Sequence, residues 1–168
     1  MVLGGQRIQP ERYSVIPRTL SFLFSGDRVL LVKLGQDRSA WSGKYNGVGG
    51  HIEAGEDPRS SARREIIEET GVQPLNLTLS GVVQIDTGSV PGVGLYIFTG
   101  DAAEGEPISG DEGEAEWVAL SELDSLPLVL DLVDLIPAAL FSRQSGSPFS
   151  AVTTFDAEGK PIIEFSHG

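Results

Sequence analysis

The sequence predicts an α+β fold, a mixed β-sheet with two helices packed on it. Three observations lead there. Short runs rich in Val, Ile, Leu and Phe alternate with turn dipeptides along most of the chain. Pro58–Thr70 carries helix signals at both ends, and residues 127–141 place leucines and valines at helical spacing. With 168 residues, 40% of them hydrophobic and 21% charged, the chain suits one globular domain over residues 1–168 with a sizeable core.

After a polar lead-in, residues 19–25 and 28–34 are apolar runs separated by Gly26-Asp27, the pattern of a tight β-hairpin. A polar loop, residues 35–44, leads to a short segment at 45–48. Asp57 followed by Pro58 reads as an acidic N-cap and a proline at the first helical position, where no amide donor is missed. Gly71 ends that helix, because glycine adopts the left-handed conformation of a C-terminal stop. Residues 75–87 and 92–100 read as strands, with SVPG as the turn between them. Residues 100–113 form an acidic, glycine-containing loop before a further strand at 116–120. A helix within 127–141, a linker at 142–147 and a closing hairpin, 151–155 with 161–165, complete the expected order. The chain shows neither an internal repeat nor a low-complexity block.

Twenty-four acidic against twelve basic residues give a formal charge of −12. So acidic a surface argues against a nucleic-acid polymer as partner, and no cluster of Lys and Arg opposes that reading. There is no cysteine, which excludes disulfides and thiolate zinc sites. The first residues lack the apolar run of a secretory signal. The most apolar tract, residues 126–141, is interrupted by Asp131, Asp134 and Pro137 and is not expected to span a membrane. A soluble cytoplasmic protein is the expectation, with no sequence signal of its oligomeric state.

The most informative stretch is GHIEAGEDPRSSARREIIEETGV, residues 50–72. It sets Gly50, Glu56, Arg64, Glu65, Ile66, Glu68, Glu69, Gly71 and Val72 at the spacing G-x5-E-x7-R-E-U-x-E-E-x-G-U, with U aliphatic. The chance of this agreement at a given start is on the order of 10⁻⁸ or below. At 100° per residue, Glu65, Glu68 and Glu69 fall within an arc of roughly 100°, with Ala62 and Ile66 at its edge to anchor the helix on the core. Carboxylates so spaced repel one another. A multivalent cation relieves that repulsion, and hard oxygen ligands suit magnesium or manganese. The glycine-rich loop before the helix lets a backbone carbonyl approach such an ion. Taken singly, a glutamate pair on a helix is ordinarily a solvated face and Arg64 an ordinary partner for Glu68. The joint spacing argues otherwise, since neither capping nor solvation requires Glu56 eight residues before Arg64.

This pattern resembles the Nudix box, the signature of hydrolases that cut nucleoside diphosphates linked to another group. Further stretches, RTLSFLFSGDRVLLVK, KYNGVGGHIE, DEGEAEWVALSELDSLP and the final hairpin, resemble the MutT-type branch and its oxidised-purine nucleoside triphosphatases, which sanitise the nucleotide pool. The resemblance implies an α/β/α sandwich and a single domain with its box at residues 50–72. It implies that Glu65, Glu68 and Glu69 bind Mg²⁺, with Mn²⁺ as substitute, together with the Gly50 carbonyl and Glu112 from a distant loop. Glu65 is its candidate base for the attacking water, Arg64 orients a glutamate, and Glu56 supports the loop or binds the metal indirectly. The expected reaction is hydrolysis of a nucleoside triphosphate, oxidised purine deoxynucleotides such as 8-oxo-dGTP included, to a monophosphate and pyrophosphate.

For the base, the resemblance points to Asn46, Thr19, Lys33 and Asp131, and Trp41 offers an aromatic ring to stack on it. An asparagine amide offers a donor and an acceptor to a base edge, and Asn46-Gly47 is equally a turn dipeptide. Thr19 is equally a strand-surface threonine, Lys33 a solvated lysine and Trp41 an aromatic packing the edge of the core. The paired aspartates of the resembled enzymes are not reproduced, Asp131 and Asp134 standing three apart. Alternative substrates are ADP-ribose and dinucleoside polyphosphates. Against them, Asp86, Thr87 and Gly88 occupy the region where those enzymes carry a proline or a tyrosine. A module that senses a nucleotide without cutting it is the remaining alternative, and such modules often lose box carboxylates that this chain retains.

Overall fold

The computed structural model describes residues 2–3, 6–7, 9, 11–36, 40–103, 105–129 and 131–166. Their elements, in chain order, are β1 (Val2–Leu3), β2 (Gln6–Arg7), β3 (Val15–Ser25), β4 (Arg28–Leu34), β5 (Tyr45–Asn46), β6 (Val48–His51), α1 (Pro58–Thr70), β7 (Pro74–Ile85), β8 (Gly92–Ala102), β9 (Gly113–Ala119), a 3-10 turn (Leu120–Ser125), α2 (Leu132–Ser145), β10 (Phe149–Phe155) and β11 (Pro161–Phe165). Apart from a two-residue ladder of β1 with β2, the strands form one mixed sheet in the order β11-β10-β7-β8-β3-β4-β5, with β6 on β3 and β9 on β4. The β3–β8 and β7–β10 pairs are parallel.

Strand alternation sends apolar side chains to both faces, and each face is covered by one helix. Leu20, Phe22, Val29, Leu31 and Ile97 pack with Leu132, Leu135, Ile136 and Ala139 of α2. Leu23, Leu30, Val32, Val48 and Phe98 pack with Ala62 and Ile66 of α1. The α/β/α layering expected from the sequence is therefore present. Ile66 is fully buried, worth about 1.5–3 kcal/mol of apolar transfer, and it sets the rotation of α1 about its axis.

The helix α1 has the bounds read from the sequence. Asp57 caps it by accepting from the Arg59 and Ser60 amides, and Gly71 closes it at φ 66°. Other boundaries differ. The Gly26-Asp27 turn joins only two residue pairs of β3 and β4; further along β4 pairs with β5, and β9 pairs with β4 along its whole length. The segment expected at 45–48 splits in two, β5 joining β4 and β6 joining β3. The switch falls at Gly47, where a Cβ would lie 2.8 Å from Leu20 Cδ1 and Phe22 Cε1. The strand expected at 116–120 begins at Gly113 and ends at Ala119, because its pairing with β4 starts at Leu34↔Gly113. The expected linker at 142–147 is largely helix: α2 runs to Ser145 and stops at Gly146, φ 74°. Ser142 is buried in it, so packing carries the helix past the apolar run. Among the described residues no helix is long and apolar enough to cross a membrane.

Candidate active site

Because Ala62 and Ile66 turn α1 toward the sheet, its glutamates fall beside that buried stripe, Glu65 facing β6, and Arg64 organises them. Arg64 Nε and Nη2 donate to Glu56 Oε1 and Oε2, both at 2.9 Å. Its Nη1 donates to Glu65 Oε1 at 2.8 Å and to Glu68 Oε2 at 3.1 Å. Nη2 also reaches the His51 carbonyl at 3.2 Å, which accepts the Ser61 hydroxyl as well at 3.2 Å. This two-pronged pairing uses the planar geometry of a guanidinium, which a lysine does not match. The Arg64 hydrogen bonds hold the Glu56 carboxyl down at about 2, against an ordinary 4.5. Conversely, Glu56 first and then Glu65 raise the Arg64 pKa. Glu56 also accepts from the Glu53 amide at 3.2 Å, so the box loop and helix are tied together through one side chain.

Glu65 lies directly over Gly50. A Cβ at position 50 would stand 2.3 Å from Glu65 Cδ and Oε1, so only glycine leaves room for that carboxylate. Glu69 meets the distant loop: its Oε2 accepts from the Glu112 amide at 3.4 Å, and the Glu112 carbonyl accepts from the Gly35 amide at 3.0 Å. The Glu112 pKa is raised, first by withdrawal of its carboxyl from water although the residue stands in an exposed segment, then by the charges of Glu69 and Glu65, with Arg18 opposing.

These residues fit a divalent ion by chemistry and by placement. They supply hard oxygen donors, their mutual charge is only partly offset by Arg64, and Gly50 provides a cradle that a Cβ would fill. As the side chains stand, no group of three His, Asp or Glu among the described residues is arranged to hold an ion. Glu65 and Glu68 are turned to Arg64, and Glu69 to the Glu112 amide. Side-chain rotation on a fixed helix is what ligation requires.

Of the residues expected to read the base, the structure gathers Lys33, Asn46 and Asp131 around β5. Lys33 lies across from Tyr45 and Asn46 across from Val32, so Lys33 and Asn46 leave opposite faces of the ribbon. The Lys33 ammonium stands 5.9 Å from the Tyr45 ring centroid. Asn46 Oδ1 accepts from the Gly47 amide at 2.9 Å. Residues 127–129 run alongside, the Tyr45 amide donating to the Pro127 carbonyl and the Val129 amide to the Tyr45 carbonyl, each at 2.9 Å. That brings Asp131, at the start of α2, to the same region. Asp131 Oδ1 is buried with no hydrogen-bond partner among the described residues. Burial, then the neighbouring Asp134, raises its pKa. Thr19 lies elsewhere, 2% exposed and across from Gly50 in the β3–β6 ladder, beside the acidic set. Trp41 is exposed on the loop between β4 and β5.

Two shallow hollows, of about 350 and 290 Å³, are lined by β7 and β8 with the start of α1 or the end of α2. Neither touches the glutamates, so chemistry rather than cavity volume locates this site. Sequence reasoning missed Ser61 and the His51 carbonyl. Ser61 carried a usable signal, a polar residue on the buried stripe of α1 next to Ala62.

Residues 16–139 match the family model described as the NUDIX domain. The chain belongs to the Nudix family. Over 110 residues it is 34% identical to the oxidized purine nucleoside triphosphate hydrolase of Danio rerio, covering 65% of this chain and 67% of that protein. The Mus musculus protein of the same name is 30% identical over 106 residues, covering 62% and 67%. The crystal structure of the mutator MutT protein from Bacillus halodurans shares the fold, with a TM-score of 0.73 at 24% identity over 90% of this chain and 98% of that one. The chain is accordingly a Nudix pyrophosphohydrolase acting on phosphorus-containing acid anhydrides.

Proposed function

We propose that this Nudix enzyme hydrolyses nucleoside triphosphates, oxidised purine deoxynucleotides such as 8-oxo-dGTP among them, to a nucleoside monophosphate and pyrophosphate, with Mg²⁺ as cofactor and Mn²⁺ as substitute. The observation that carries the reading is the acidic set built around Arg64: Glu56, Glu65 and Glu68 on one guanidinium, with Glu69 meeting Glu112 at the facing loop. The proposed ligands are Glu65, Glu68, Glu69, Glu112 and the Gly50 carbonyl. When bound, the ions neutralise the polyphosphate and lower the pKa of water.

The remaining work falls to the chain itself. Arg64 fixes Glu56 and, through it, the loop that presents the Gly50 carbonyl. Glu65, seated on Gly50 and oriented by Arg64, accepts the proton of the attacking water. The water oxygen bonds to phosphorus as the anhydride P–O bond breaks, and pyrophosphate leaves with that oxygen. A surface charge of −12 repels a free polyphosphate, which makes cation-complexed nucleotide the form that binds.

For the purine, the supporting observation is Asp131. A buried carboxyl whose Oδ1 has no partner among the described residues and whose pKa is raised presents a donor when protonated and an acceptor when not, two residues after the backbone bond of Val129 to Tyr45. The relatives named as oxidized purine nucleoside triphosphate hydrolases support the same substrate class. The test is pyrophosphate release from purified protein with Mg²⁺, comparing 8-oxo-dGTP, dGTP, dATP, ADP-ribose and a diadenosine polyphosphate by kcat/KM. Preference for the oxidised triphosphate is expected. No turnover of any triphosphate would refute the reading.

A further inference from the structure

The acidic loop before β9 is fastened to the end of α1 at three points. The Ile108 amide donates to the Thr70 carbonyl at 2.9 Å, using an acceptor that a helix end leaves free. The Ile108 side chain, 63% exposed, covers Gly71, where a Cβ would come within 2.8 Å of Ile108 Cγ1. Gly110 lies hard against Glu69: a Cβ there would stand 2.6 Å from Glu69 Oε2, 2.8 Å from its carbonyl oxygen and 2.9 Å from its Cα. The last two are helix backbone and cannot rotate aside. Two residues on, the Glu112 amide reaches Glu69 Oε2 and its carbonyl accepts from Gly35. The next residue, Gly113, opens β9 so close to β4 that a Cβ would meet the Lys33 carbonyl oxygen at 2.1 Å. Glu112 thus stands at the end of a short span clamped between α1 and β4.

We infer that Gly110 and Ile108 are positioning residues, holding this loop on α1 so that the Glu112 carboxylate stands beside Glu65 and Glu69 as a ligand for the divalent ion. The inference rests on the proposed role of Glu112. Any side chain at 110 lifts the loop from Glu69 and carries Glu112 with it, whereas trimming Ile108 loosens the same loop without a clash. Both act through Glu112, so their effects should not add to its removal.

The experiment is Mn²⁺ binding to the nucleotide-free full chain, followed by loss of the free-ion electron paramagnetic resonance signal, with thermal unfolding as the check on folding. Gly110→Ala and Glu112→Gln are each expected to weaken Mn²⁺ binding by about ten-fold or more, and the double variant no further than Glu112→Gln alone. Ile108→Ala should weaken it in the same direction by a smaller factor, and it decides the question if Gly110→Ala does not fold. If Glu112→Gln weakens binding while Gly110→Ala and Ile108→Ala match the wild type, the positioning role is overturned and the ligand role of Glu112 stands. Additive losses in the double variant also overturn it. Unchanged binding in Glu112→Gln removes the ligand role itself, and this inference with it.

Discussion

Replacing Gly50 by alanine separates two things this residue does, offering a carbonyl and leaving space. The carbonyl survives the substitution. The space does not: the new Cβ would stand 2.3 Å from Glu65 Cδ, against an ordinary contact of 3.4 Å or more. The backbone of β6 is paired with β3 through Thr19↔Gly50, whereas the carboxylate ends a flexible side chain, so the carboxylate gives way. It must move by about 1 Å, which opens the 2.8 Å bond to Arg64 Nη1 beyond hydrogen-bonding range. Loss of one charge-assisted bond between partly exposed groups, side chains 31% and 12% accessible, is expected to lower stability by about 1 kcal/mol. Activity should suffer more, because a reacting group displaced by about 1 Å can lower the rate by about 10²-fold. The assay is pyrophosphate release under Mg²⁺ saturation, giving kcat and KM separately, alongside urea unfolding of the same preparations. A Gly50→Ala enzyme with kcat within about three-fold of wild type would show that Glu65 does not work from its seat on Gly50.

Three further outcomes follow from the buried and paired groups. Glu56 is held at about 2 against 4.5, so its stabilising contribution is complete above pH 4.5 and is lost as pH falls toward 2. Thermal unfolding of Glu56→Gln should show a Tm deficit at pH 7 that closes across that window; a deficit independent of pH would contradict the Arg64 pairing as its cause. Asp131 has a raised pKa from burial, so its ionisation opposes folding increasingly as pH rises above 3.8. Asp131→Asn should therefore be at least as stable as wild type at pH 7 while losing kcat/KM toward purine triphosphates, and a less stable variant with normal kinetics would argue for a structural role instead. Thr19 Oγ1 is buried without a partner among the described residues, so Thr19→Val should leave stability unchanged or raise it by up to about 1 kcal/mol, measured by urea unfolding. A marked loss would mean that the hydroxyl is satisfied within the fold.

Legibility differed between the helix and the loops around it. Asp57-Pro58 and Gly71 announce α1 because capping depends on atoms within one turn of the chain, and the observed ends coincide with those signals. Ala62 and Ile66 were legible as its anchors because helical period follows from backbone geometry. The split of β5 from β6 at Gly47 was not legible, since it depends on Leu20 and Phe22 in another strand. Nor was the end of α2, where Ser142 is buried by packing rather than by its own hydrophobicity. In the site, the glutamate spacing and the Arg64–Glu68 pair four residues apart were visible, but the other partners of Arg64 were not. That one guanidinium takes Glu56, Glu65 and Glu68 together with the His51 carbonyl depends on how the loop folds back on the helix.

The chain order alone settles what is local: where α1 starts and stops, and that three carboxylates share one side of it. Those features rest on bonds and contacts within a few residues, so the linear text contains them. Tertiary structure decides what crosses the sheet: Glu65 on Gly50, Glu112 beside Glu69 across 43 residues, and Asp131 drawn to β5 by the backbone of residues 127–129. Burial and like-charge crowding shift Glu112 and Asp131 only once distant segments meet, because the field at a carboxylate is set by its neighbours in space.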